Sequence, residues 1–227
     1  MGCRERLSAI IGITRERLLP KVESIKRSLR FGPLAPLYES FSVARWERRG
    51  RPVPPPYTVK RRMITEFAGR FGCRVLVETG TFRGDTIWSL RHKFDRLYSI
   101  ELDEALYAAA VRRFAGMNKV TLVQGDSGEK LHEVVKSIDT RTLFWLDGHY
   151  CGEGTGLGVE EAPVYRELEA VFGHRIQDHI VLFDDARCFE GRGGYPKVDE
   201  LREWVLRRRP GWTVEVVHDV IRIYPER

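Results

Sequence analysis

Cysteine is scarce in this 227-residue chain, with four residues (Cys3, Cys73, Cys151 and Cys188) and no Cys-x-x-Cys pair. Such spacing argues against a zinc site or a disulfide framework, so reduced thiols and a cytoplasmic location are expected. Long apolar runs are missing too: no stretch reaches the roughly 18 residues that a bilayer span requires. The opening Met1-Gly-Cys-Arg-Glu-Arg6 carries too much charge for a secretory signal. Arg6 stands where a myristoylation motif at Gly2 needs Ser or Thr. What remains is the composition of an ordinary globular protein, long enough for one α/β domain and an extension.

Charge is unevenly spread. Residues 1–62 hold 15 Lys and Arg against five acids, while the rest of the chain holds 23 against 27. A basic arm on a mildly acidic body suits contact with phosphates, anionic lipid at a membrane surface, or acidic sugars. A solvated helical extension and a dimer interface are the alternatives. Residues 1–30 place Leu7, Ile10, Ile11, Leu18, Val22, Ile25 and Leu29 near helical spacing, with Pro20 as a break. Residues 31–59, with Gly32, Pro33, Pro36 and Pro52-Val-Pro-Pro-Pro56, read as an extended connection. The expected division is a basic extension over 1–57 and a catalytic domain over 58–227.

Beyond that boundary strands and helices alternate. Helices are predicted near 58–71, 84–93, 104–115, 128–137, 160–172 and 196–208. Strands are predicted at 74–78, 96–101, 120–124, 142–147, 179–184, 213–217 and 220–224. Alternation of this kind implies right-handed crossovers and a Rossmann-like, mostly parallel seven-stranded sheet with helices on both faces. His218-Asp219 between the last two strands predicts a tight antiparallel hairpin.

Ligands of open parallel sheets bind at the carboxyl ends of the strands. The first of these ends reads Glu78-Thr79-Gly80-Thr81-Phe82-Arg83-Gly84-Asp85-Thr86. Gly80 lets the chain turn off the strand, and Gly84 permits close approach to a ligand or helix. Glu78 is placed to hold an amino group. Glu101, 21 positions after Gly80, is placed to accept hydrogen bonds from ribose hydroxyls. Gly125-Asp126-Ser127 follows the third strand, within reach of an adenine edge. Nicotinamide binding is the rival, but its Gly-x-Gly-x-x-Gly fingerprint is missing from the first turn.

Over residues 60–225 these turns resemble the class I S-adenosylmethionine-dependent methyltransferases. The resemblance implies Glu78, Gly80, Glu101 and Asp126 as cofactor contacts, with Thr79, Thr81, Gly84, Asp85, Thr86, Gly125, Ser127 and Asp147 around them. The fourth and fifth strands end in Asp147-Gly-His-Tyr150 and Asp184-Asp185-Ala-Arg187. Asp147, Asp184 and Asp185 repel one another if they converge, so a divalent cation such as magnesium is a natural occupant. This arrangement is similar to metal-dependent catechol-type and sugar O-methyltransferases. Strand-end acids that cap helices without metal are the alternative.

A bound cation would lower the pKa of an acceptor hydroxyl and orient it. His149 is the candidate base, with Asp147 beside it. The catechol-type enzymes carry a lysine three positions after the first metal Asp, where this chain has Tyr150. The glycine-rich segment 148–158 is expected to be a long loop able to close over the acceptor. Arg187 and Arg192 suit an anionic acceptor, or pair with nearby acids. A small-molecule or sugar O-methyltransferase is thus expected. A nucleic-acid methyltransferase is disfavoured, since no Asn/Asp-Pro-Pro-Tyr segment follows the fourth strand. A non-enzymatic protein keeping the fold is the third reading.

Overall fold

The computed structural model describes residues 32–147 and 162–226. Two compact units divide the chain, Met1–Arg51 and Pro52–Arg227. In the first, helix α1 spans Ala35–Arg48 and buries Trp46. This corrects the expectation of an extended connection. Pro36 lies in the first turn of α1, where a missing amide hydrogen costs nothing because that N–H has no helical partner. The predicted helix over 1–30 lies outside the described residues.

The second unit runs α2 (Tyr57–Phe71), β1 (Val75–Thr79), α3 (Asp85–Leu90), β2 (Arg96–Glu101), α4 (Glu104–Arg113), β3 (Val120–Gln124), α5 (Ser127–Val135) and β4 (Thr142–Leu146). It continues with α6 (Val164–Phe172), β5 (Ile180–Phe183), a short 3-10 turn, α7 (Val198–Arg208), β6 (Trp212–Val217) and β7 (Val220–Pro225). The seven strands lie in the order β3-β2-β1-β4-β5-β7-β6. The first five are mutually parallel, and β7 runs antiparallel to both β5 and β6. His218 and Asp219 both have positive φ in the β6–β7 turn, the backbone that a two-residue hairpin favours.

Strand sequences explain the layering. Alternate residues of a strand face opposite sides of a sheet, and here both sides are covered. Val75, Val77, Phe144 and Leu146 join one core with Leu131, Leu168, Val171 and Leu201 of α5, α6 and α7. Leu76, Leu143 and Trp145 join the other with Met63, Phe67, Ile87 and Phe114, from α2, α3 and the end of α4. Helices therefore cross on one face before β3 and on the other after it. The reversal falls between β1 and β4, which opens a crevice at their carboxyl ends. No helix among the described residues is long and apolar enough to cross a membrane.

Candidate functional site

Glu78 is the last residue but one of β1, and its register partner on β2 is Ser99. The carboxyl is buried at 2 % exposure. It accepts a 2.6 Å hydrogen bond from Ser99 Oγ, which lies 2.6 Å from Thr81 Oγ1 in turn. Burial outweighs those hydrogen bonds and pushes the Glu78 pKa up to about 8, with Glu101 and Asp85 adding repulsion. A neighbouring cation would reverse that shift.

Glu101 ends β2 and is held differently. Its two oxygens accept backbone hydrogen bonds from Phe82, at 2.7 Å, and Asp103, at 3.0 Å. One carboxylate thus ties the glycine turn after β1 to the start of α4, and each oxygen keeps a further lone pair for a ligand. Gly80 has φ 82°, and Gly125, whose N–H donates to the Glu101 carbonyl at 2.8 Å, has φ 136°. Gly84 serves packing: a Cβ there would lie 2.7 Å from the Phe114 ring.

Other predicted contacts have protein partners. Asp85 accepts from Arg113 at 2.7 Å. Asp126 caps α5 by accepting from Gly128 N at 2.8 Å, and the Arg166 guanidinium meets the same oxygen at 2.6 Å. Ser127 begins α5 and is buried, as are Thr79 and Thr81. The Thr86 carbonyl accepts from Ser89 Oγ, which lies 2.7 Å from the Tyr57 hydroxyl.

Across the crevice, the Asp147 amide lies 3.2 Å from both the carbonyl and Oγ1 of Thr79. Asp147 and Asp184 line one narrow cavity with Leu146, Phe183, Glu167 and Tyr195. Asp185 turns aside with φ 55°. The Lys60 ammonium of α2 lies 2.5 Å from Asp184 Oδ1 and 3.0 Å from Asp185 Oδ1. Arg187 reaches Asp185 Oδ1 at 2.7 Å and pairs with Asp219 as well. Arg192 pairs with Glu190. Desolvation lifts the Asp184 pKa to about 6 against the pull of Lys60.

The predicted metal triad does not fit this arrangement. Among the described residues no group of three or more His, Cys, Asp or Glu side chains is set to hold a metal ion. Two of the three expected ligands face an ammonium and a guanidinium instead. His149 and the glycine-rich loop lie outside the described residues.

Glu167 was not among the predicted site residues. It is 3 % exposed, its Oε1 has no hydrogen-bond partner among the described residues, and burial raises its pKa to about 7. A signal was present: Val164, Leu168 and Val171 mark the buried stripe of α6, and position 167 falls within it. Lys60 gave no comparable signal.

No protein-family model matches this sequence, and no curated protein matches it by sequence. Solved structures do match. A candidate caffeoyl-CoA O-methyltransferase from Staphylococcus aureus aligns over 91 % of this chain and 99 % of its own, at 16 % identity and TM-score 0.55. The O-methyltransferase TomG from Streptomyces achromogenes, involved in tomaymycin synthesis and solved with S-adenosylmethionine, covers 83 % and 89 % at 14 % identity and TM-score 0.54. This is the class I methyltransferase fold. An O-methyltransferase from Bacillus cereus with bound S-adenosylhomocysteine shares that methyltransferase fold at 12 % identity and TM-score 0.53, over 82 % of this chain and 90 % of its own.

Proposed function

We propose that the chain is an S-adenosylmethionine-dependent methyltransferase acting on a hydroxyl of a small molecule or sugar. The observation that carries this reading is the pair of buried carboxylates, Glu78 and Glu101, at adjacent strand ends beside the β1–β4 reversal. Both are held by neutral donors, and Glu78, raised to a pKa of about 8 by burial, ionises when a cationic group comes beside it. The donor set fits the cofactor: Glu78 for the amino group, Glu101 for the ribose hydroxyls, and Asp126 with Ser127 beside the adenine. When bound, S-adenosylmethionine supplies a methyl carbon on a sulfonium, whose sulfur keeps the bonding electrons as an acceptor oxygen takes the methyl.

The protein's part is placement and proton removal. His149 takes the hydroxyl proton, with Asp147, fixed by Thr79, beside it. In-line approach of the acceptor supplies much of the acceleration, so the buried walls formed by Leu146 and Phe183 matter as much as the base. No step passes through a divalent ion. Titration calorimetry with S-adenosylmethionine, S-adenosylhomocysteine and NAD tests the reading. Micromolar affinity for the first two is expected, and affinity for NAD alone defeats it.

A further inference from the structure

Two adjacent buried carboxylates need a counter-charge, because an unpaired charge out of water is costly. In Asp184 and Asp185 that charge comes from the chain. Lys60 meets both acids at 2.5 and 3.0 Å with its own side chain only 13 % exposed. Arg187 meets Asp185 from a third element at 2.7 Å. Two positive groups therefore face two carboxylates, and Asp219 shares the second of them. Hard divalent cations take oxygen-rich sites whose negative charge is uncompensated. Here an ammonium lies within hydrogen-bond distance of two of the three carboxylates that the ion would use. A divalent ion would have to expel Lys60 or bear its repulsion.

We infer that Lys60 is the resident cation of the acceptor site and that the chain binds its acceptor without a divalent metal. The inference rests on the methyltransferase reading above for what the site accepts. An ammonium carries three hydrogens. Two serve Asp184 and Asp185, and the third suits an acceptor oxygen as its proton leaves, where a fixed positive charge favours the developing anion. Lysine does this as a point charge, without the coordination geometry that a metal imposes.

Calorimetric titration of the full chain with MgCl2, MnCl2 and CaCl2 reads the acidic pair with no acceptor present. The wild type is expected to bind none of them more tightly than about 1 mM, the weak end of oxygen-ligand sites. Lys60→Met removes the charge and keeps most of the stem, and should gain a one-to-one site at least about tenfold tighter. Lys60→Arg should stay blind to metal. Circular dichroism checks each variant, and Lys60→Gln carries the same test should Lys60→Met not fold. A wild-type site tighter than about 100 µM that Asp185→Asn abolishes overturns the inference. A folded, charge-free variant that gains no metal affinity overturns it too. Failure of the methyltransferase reading appears separately, as absence of S-adenosylhomocysteine binding.

Discussion

The two sides of the crevice handle buried carboxylates in opposite ways. At the ends of β1 and β2, Glu78 and Glu101 are met by a hydroxyl and by backbone N–H groups. After β5, Asp184 and Asp185 are met by an ammonium and a guanidinium. Neutral donors hold a carboxylate in place without cancelling its charge, whereas cations cancel it. The first arrangement is poised for a cationic or hydroxyl-bearing ligand. The second carries its own cations, and Asp126 after β3 combines both kinds of partner, the Gly128 amide and the Arg166 guanidinium.

The contrast is broken most directly at Glu101. Glu101→Ala removes the acceptor for two backbone amides and for any ribose hydroxyls. Hydrogen bonds to charged groups contribute roughly 1.5–3 kcal/mol each, so cofactor affinity should fall about 100-fold or more. Calorimetry with S-adenosylhomocysteine measures this. An unchanged affinity would remove Glu101 from the cofactor site and with it the main distinction between the two sides.

Glu167 sharpens the comparison from the acceptor side, since no cation quenches it outright. Burial holds its folded pKa at about 7, above the ordinary carboxyl value of 4.5. The associated stability is fully present below pH 4.5 and is lost as pH rises through 7. Glu167→Gln abolishes that loss. Denaturant titrations should show the variant gaining roughly 3 kcal/mol relative to wild type between about pH 4.5 and pH 9. A stability difference that stays flat with pH would show that the carboxyl is solvated or paired.

Packing beneath the first turn gives a smaller effect. Gly84 has φ 69°, and a methyl there would meet the Phe114 ring at 2.7 Å. Gly84→Ala should destabilise the domain by about 2 kcal/mol through backbone strain and displacement of the ring. A matching loss of cofactor affinity beyond that expected from unfolding would assign Gly84 a direct part in binding.

Much of this was legible in the sequence. Arg96–Glu101 and Val120–Gln124 form strands at the predicted residues, the first buried and the second a partly exposed edge strand, because short apolar runs bounded by turn residues favour extended structure. The order of strand-end acids followed from the same alternation. The helix Ala35–Arg48 was missed because proline was read as a breaker at a position where it starts a helix. The charge partners of the acidic pair were out of reach for another reason. Lys60 lies 125 positions from Asp185, and one cation of the run Lys60-Arg61-Arg62 on a helix carries no mark of the carboxylates that it will neutralise. Strand-end acids can be listed from a sequence, but their counter-charges belong to the tertiary structure.

The subtlest expected effect concerns the proton on Glu78. With a pKa of about 8, this carboxyl is mostly neutral at pH 7 in the free protein. A bound ammonium favours its ionised form, so cofactor binding at pH 7 should release up to about one proton. Titrations in buffers of different ionisation enthalpy count that proton. The cofactor's amino group also titrates, so the informative quantity is the difference between wild type and Glu78→Gln. That difference should be largest near pH 7 and vanish above about pH 9, where Glu78 is already ionised. Equal proton counts at every pH would mean that the amino group lies elsewhere, and the neutral-donor side would then owe its cofactor affinity to Glu101 alone.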